Sequence, residues 1–312
     1  MLLVVSAISS VLFYWGILPA VVRILSRCLQ RPLGISGRVG LGAAANVFVG
    51  MVEAPLMIRE YLADMTRSEL FIIMTTGMAT VAGTVMVLYA SILSTVIPDA
   101  LGHLLTASII SAPAAILVAL IMVPDERSEM KQQDSLDAQP PRAFSAMDAL
   151  TRGTLDGVSM LINIVAMLIV LVVLVSLVNN AIGLLPAIAG QVLSLQLLLG
   201  YLMTPVARLM GIPWNEALDA GRLLGTKLVL NELVAYLDLM NLPQGTLRSS
   251  SVLILTYALC GFANFGSLGI MLGGFSVLVP GRRDEVAGLG MKSLVAGTIA
   301  TLMTGTVVGI IT

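Results

Sequence analysis

The stretch Asn46-Val47-Phe48-Val49-Gly50-Met51-Val52-Glu53-Ala54-Pro55 constrains the fold more than any other, because it sets an amide, an acid and two helix breakers inside an apolar chain. Gly50 and Pro55 interrupt a helix, and neither the freed backbone nor the Glu53 carboxylate can face hydrocarbon unpartnered. The stretch therefore lines something within the protein. A second stretch of the same character, Gly225-Thr226-Lys227 followed by Asn231-Glu232, lies in the other half of the chain. Paired breaks of this kind point to a binding site at the membrane midplane between two repeats.

Composition supplies the membrane. Hydrophobic residues make up 57% of the 312-residue chain and charged residues 11%, against about 25% charged in an average soluble domain. The mean hydropathy is +0.98. Apolar runs longer than the ~18 to 20 residues needed to cross ~30 Å of hydrocarbon predict helices, and the lack of period-two alternation excludes a barrel. A formal charge of −1 argues against a nucleic-acid surface. Cys28 and Cys260 stand in or beside apolar helices and read as small apolar filler, with neither a disulfide framework nor a zinc site implied. Met1 runs straight into apolar residues without a basic region or cleavage pattern, so the start reads as a span and not as a signal peptide.

The expected fold class is an all-α integral membrane protein of inverted repeats, each with a re-entrant helical hairpin and a discontinuous transmembrane helix. Residues 1–30 form a scaffold transmembrane helix, with Arg23, Arg27 and Arg31 marking its cytoplasmic end. Residues 31–124 form the first transport repeat: a hairpin over 36–63, a broken helix over 66–97 and a helix over 101–123. Thr66 and Glu69 have capping-box spacing at the start of the broken helix. Its interruption at Gly77, Thr80 and Gly83 either frees carbonyls to hold a hard cation or allows close helix packing. His103, at the outer end of the next helix, reads as solvated or helix-capping. A cytoplasmic loop follows over 125–142. Residues 143–212 complete the scaffold with a long helix, polar at its start through Asp148, Arg152 and Asp156, and an outer amphipathic helix. Residues 213–312 form the second repeat: a hairpin over 215–240 with Asn231 and Glu232 at its tip, a helix over 249–279 broken across 261–267, and a helix over 293–312. Arg208, Arg222, Lys227 and Arg248 depart from the positive-inside pattern that the other basic clusters obey.

If the two hairpin tips meet the two broken spans, Glu53, Glu232, Asn46, Asn264, Thr80 and Ser267 converge. Carboxylates and amides can pair with the hydroxyls of a sugar, and Phe262 or Phe265 can cover a ring, so the residues by themselves imply a ring-bearing polyol.

At these positions the chain resembles the concentrative nucleoside transporter family. The resemblance rests on Ala44-Ala45-Asn46-Val47-Phe48-Val49-Gly50 with Glu53-Ala54-Pro55, on Met65-Thr66-Arg67-Ser68-Glu69-Leu70-Phe71, on Gly225-Thr226-Lys227-Leu228-Val229-Leu230-Asn231-Glu232 with Val234-Ala235-Tyr236, and on Cys260-Gly261-Phe262-Ala263-Asn264-Phe265. It runs over essentially the whole chain. It implies a cation-coupled nucleoside symporter of the bacterial inner membrane, a homotrimer in which each protomer moves a transport domain past a scaffold like an elevator. By position, Gly50, Met51, Val52 and Glu53 face the nucleobase; Glu232, Asn264 and Ser267 bind the ribose; Phe262 and Val85 line the pocket. Asn46 and Thr80 match a sodium site, through side-chain oxygens, together with the backbone carbonyls of Val49 and Val81.

Two departures stand out. Many members of the family read Gly-Gln-Thr-Glu where this chain has Gly50-Met51-Val52-Glu53, so two hydrogen-bonding contacts become apolar and base discrimination is expected to change. The family also has two or three further spans before the first one here, which leaves a misassigned start, a fragment or a reduced scaffold. Alternatives to sodium coupling are a proton carried by Glu53 or Glu232 and a passive channel. An intramembrane hydrolase with Ser267 as nucleophile finds no supporting His-Glu-x-x-His or Gly-x-Ser-x-Gly motif.

Overall fold

The computed structural model describes residues 2–94, 96–125, 143–184 and 193–312, so all but Asp125 of the loop expected at 125–142 lies outside the described residues. Among the described residues every regular element is helical. The first departure comes at once. Residues 1–30 are not one straight helix: α1 (Leu2–Tyr14) and α2 (Ile17–Leu33) meet at 81°. Gly16 makes the corner in the left-handed region at φ 77°, where a side chain costs about 1 to 2 kcal/mol. Beyond the corner α2 buries Val22, Ser26 and Leu29 and exposes Arg23 and Arg27. α2 thus turns small and apolar residues inward and these two arginines to the surface. Cys28 sits on the exposed side, unlike the filler role expected of it, whereas Cys260 is buried.

The first hairpin runs through α3 (Gly37–Asn46), a turn, α4 (Glu53–Met57) and α5 (Arg59–Leu62). Its ends are tied down by charge. Glu69 accepts from Arg38 Nε and Nη2 at 3.1 and 2.8 Å, from Ser36 Oγ at 2.7 Å and from the Thr66 amide at 2.9 Å. Thr66 Oγ1 in turn accepts from the Glu69 amide, which completes the expected capping box. On the returning side Arg282 donates to the carbonyls of Leu62 and Met65 at 2.9 and 2.7 Å.

The broken helix follows as α6 (Arg67–Ala79) and α7 (Gly83–Leu93), then α8 (Ala100–Met122). α9 (Ala146–Ile182) has 37 residues, a length of about 55 Å that exceeds the hydrocarbon and leaves its charged start outside it. Ile162, Val165, Ile169 and Val170 project from its apolar part. α1 lies against α9 where Gly153 and Gly157 remove side-chain bulk: a Cβ on Gly157 would fall 3.0 Å from Ser6 Cβ, and Ser6 Oγ donates to Gly153 O at 2.7 Å. α10 (Leu195–Leu209) packs along α11 (Trp214–Val229) in the same manner, through Gly200, Gly221 and Gly225.

The second hairpin is α11 and α12 (Glu232–Asn241), followed by α13 (Ser249–Leu259), α14 (Phe265–Leu278) and α15 (Arg283–Ile311). The last helix starts ten residues before the expected 293, because Asp284 and Glu285 suit a helix N-terminus and Arg282 closes on Glu285 at 2.7 Å. The order of hairpin, broken helix and long helix thus occurs twice. Two of the four misfit basic residues have acidic partners: Arg248 pairs with the buried Glu216 at 3.2 Å, and Arg222 with Asp219 at 3.4 Å, while Arg208 is exposed. Lys227 is buried within the protein. Arg67–Leu93, Ala100–Met122 and Pro280–Ile311 are each long and apolar enough to cross a membrane, so the chain is an integral, multi-pass membrane protein.

Candidate functional site

Both broken helices open where the sequence loses its apolar run, and the two breaks touch. The amide of Phe262 donates to Thr80 O at 3.3 Å, and the amide of Gly83 donates to Phe48 O at 2.9 Å. The first contact joins the breaks of α6–α7 and α13–α14; the second joins the first hairpin to α7. Gly77 lets the hairpin tip approach, since a Cβ there would lie 2.9 Å from Met51 Cβ.

Three of the residues expected at the sugar, Glu232, Asn264 and Ser267, lie in contact. Asn264 caps α14, its Oδ1 accepting from the Ser267 amide at 2.7 Å, and its Nδ2 donates to Glu232 Oε2 at 3.0 Å. Tyr89 O–H donates to Glu232 Oε1 at 2.6 Å. Tyr89 lies one helical turn beyond Val85 on the same face of α7, so Val85 shares this neighbourhood. Glu232, Asn264 and Ser267 are all buried. Asn231, paired with Glu232 in the sequence reading, is a helix cap that accepts from the Val234 amide. Phe262 is buried at the break, whereas Phe265 is exposed on α14.

Two members of this cluster escaped the sequence reading. Tyr89 was detectable by its i+4 spacing from Val85. Lys227, which donates to Ala258 O at 2.8 Å and Thr301 Oγ1 at 3.0 Å, stands in a recognised motif, but only the fold shows that it braces the end of α13 beside the second break.

Around Asn46 the polar groups turn inward. Its Nδ2 donates to Ile73 O at 3.2 Å and Thr76 Oγ1 at 3.0 Å. Thr80 Oγ1 has the Asn46 and Thr76 carbonyls at 3.0 and 2.8 Å, and its single proton serves both, which leaves lone pairs free. Among the described residues, Asn46 Oδ1 is buried without a hydrogen-bond partner. A buried carbonyl oxygen left so is unfavourable by about 1 to 3 kcal/mol, and a cation is the partner it can take. Val49 and Val81 stand at the adjoining breaks, and the Val85 amide pairs with Ala82 O in place of Val81 O. The donor set fits a small hard cation.

Glu53 does not join the Glu232 cluster. It starts α4, its carboxylate folded over Gly50, where φ is 117° and a Cβ would fall 2.8 Å from Glu53 Oε2. It faces a cavity of about 520 Å³ that separates the hairpin and α7 from α1, α2 and α9. Val52 turns to the opposite side, against Gly274 of α14. The tip residues therefore divide: Met51 packs on Gly77, Val52 on α14, and Glu53 looks into the cavity. His103 is partly exposed, and its Nδ1 lies 3.0 Å from Tyr257 O–H.

A family model described as Na+ dependent nucleoside transporter C-terminus matches residues 103–309, and one described as nucleoside recognition matches residues 1–96. The uncharacterized transporter YutK of Bacillus subtilis is 39% identical over 97% of this chain and 74% of its own length. The nucleoside permease NupC of Helicobacter pylori is 36% identical over 98% and 72%. Sodium/nucleoside cotransporter 1 of Mus musculus is 36% identical over 98% of this chain, which spans 49% of that protein. Among solved structures, CNTnw in an inward-facing substrate-bound state superposes with a TM-score of 0.88 at 37% identity, over 99% of this chain and 74% of that one. A CNTnw variant in an outward-facing state gives 0.87 at 36% identity, over 99% and 73%. These are transporters and not enzymes, which removes the hydrolase reading of Ser267. The chain is a member of the concentrative nucleoside transporter family.

Proposed function

We propose that the chain is a sodium-coupled nucleoside symporter that imports nucleosides across the bacterial inner membrane by an elevator-type exchange of access, as a homotrimer. Nucleoside transport is the activity that the matched relatives carry in their names. The observation that carries the coupling ion is the unpartnered Asn46 Oδ1, on a residue whose backbone carbonyl is bonded by Thr80 Oγ1. Sodium bound there would bridge α3 and the α6–α7 break, and so fix the hairpin tip against α7. The Glu232–Asn264–Ser267 cluster supplies acceptors and donors for sugar hydroxyls, with Phe262 and Val85 as walls. The two hairpin-and-broken-helix units are read as inverted repeats, which lets the site open to either face in turn.

One positive charge moving inward through ~100 mV releases about 2.3 kcal/mol, and a tenfold gradient costs about 1.4 kcal/mol. One sodium per nucleoside therefore sustains roughly fortyfold accumulation from the potential alone. The test is uptake of radiolabelled uridine and adenosine into proteoliposomes with sodium, choline or a proton gradient outside. Accumulation with sodium only is expected. Accumulation with the proton gradient alone would move the coupling to Glu53 or Glu232, equilibration without accumulation would make the protein a channel, and no uptake under any condition would overturn the reading.

A further inference from the structure

We propose that the scaffold wall of the 520 Å³ cavity is a second nucleoside station, formed by Ser9, Ser10 and Asp156, that receives the ligand after it leaves the transport-side residues. The inference rests on the nucleoside reading above and assigns a role to residues outside the hairpins and broken helices. α1 carries Ser6, Ser9 and Ser10 at i, i+3 and i+4, which puts three hydroxyls on one helix face, and all three line the cavity. Ser6 is engaged with the Gly153 carbonyl. Ser9 and Ser10 have no side-chain hydrogen bond among the described residues, and both are partly exposed to the cavity.

On the neighbouring helix, Asp156 lines the same cavity as Glu53. One turn earlier Arg152 is held by Asp148 at 3.0 Å and stacks 5.9 Å from the ring centroid of Phe144. Phe13 and Tyr14 of α1 add aromatic surface to the same wall, and Phe48 faces them from the hairpin.

Hydroxyls and a carboxylate gathered on one cavity wall offer hydrogen-bonding partners to water or to a polar ligand. The combination found here goes further than hydration needs. It offers two free hydroxyls, a carboxylate and aromatic surface within a volume typical of small-molecule sites, and so repeats the chemistry of the Glu232 cluster: acceptors for a polyol and a wall for a ring. Glu53 bounds the cavity from the transport side, so a nucleoside passing from one wall to the other meets polar partners throughout. The exposed arginines of α2 and the start of α9 place the mouth of the cavity at the cytoplasmic face under the positive-inside rule.

The test compares half-saturation at the two membrane faces, in proteoliposomes of defined orientation, for the wild type, the double variant Ser9→Ala/Ser10→Ala and Asp156→Asn. Alanine retains the Ser10 Cβ that packs against Gly153, so the α1–α9 contact persists. Removing two hydrogen bonds is expected to raise the half-saturation for uridine at the cytoplasmic face by roughly five- to 150-fold. The opposite face should change less than twofold, and the sodium dependence should be unaltered. Equal shifts at both faces, or none at either, overturn the station while leaving the symporter reading intact. A wild-type protein that moves no uridine overturns both.

Discussion

Tyr89→Phe removes one oxygen atom and tests the site at its most defined contact. The hydroxyl donates to Glu232 Oε1 at 2.6 Å in a fully buried setting, while the ring packs on Tyr236 at a centroid distance of 5.3 Å and would remain in place. A hydrogen bond to a charged group contributes about 1.5 to 3 kcal/mol. Glu232 offers about four acceptor positions, of which Tyr89 and Asn264 use one each, so two remain for sugar hydroxyls. Without Tyr89, Oε1 loses its anchor and must reorganise before a ribose can dock. Expressed as half-saturation, 1.5 to 3 kcal/mol is roughly a ten- to 150-fold rise for uridine. A 3′-deoxynucleoside, which asks less of the carboxylate, should be affected less. Concentration-dependent uptake of the two ligands, with unfolding of the detergent-purified variant followed by intrinsic fluorescence, measures both consequences. An unchanged half-saturation for both ligands together with an unchanged unfolding midpoint would refute the argument that Tyr89 holds Glu232 in its binding geometry.

Asn46→Ala deletes the unpartnered oxygen and should abolish the stimulation of uptake by sodium while leaving sodium-independent binding of uridine measurable; retained stimulation would exclude Asn46 as a ligand. Met51→Gln with Val52→Thr restores two hydrogen-bonding side chains at the hairpin tip, and the ratio of uridine to adenosine uptake should shift. The structure directs Met51 toward Gly77 and Val52 toward Gly274, so an unchanged ratio would mean that neither side chain reaches the base. Glu69→Gln weakens the charge-assisted bonds to Arg38 that tie α3 to α6, with an expected loss of about 1.5 to 3 kcal/mol. A detergent unfolding midpoint equal to that of the wild type would show the tie to be dispensable.

The sequence by itself determined the class and the chemistry. Apolar runs of membrane length force helices, because no other open structure satisfies its backbone in hydrocarbon. The polar interruptions at Asn46–Thr80 and at Glu232–Ser267 had to be internal, since the same solvent penalises them outside. Local rules also sufficed for the Thr66–Glu69 capping box, which depends on residues three apart. Other features depend on contacts between distant segments, which no local pattern encodes. The 81° corner at Gly16 divides into two helices a segment that reads as one, a bend that apolar content alone does not reveal. Arg282, just before α15, reaches back to the carbonyls of Leu62 and Met65, more than 200 positions away. The pairing of Tyr89 with Glu232, separated by 143 positions, could not be read from either neighbourhood. Most telling is the division of the two acids. Sequence treats Glu53 and Glu232 as equivalents at equivalent breaks, yet only Glu232 finds buried partners, whereas Glu53 faces a cavity walled by α1 and α9. What an acid does inside a membrane protein is decided by which groups the tertiary fold brings within hydrogen-bonding distance.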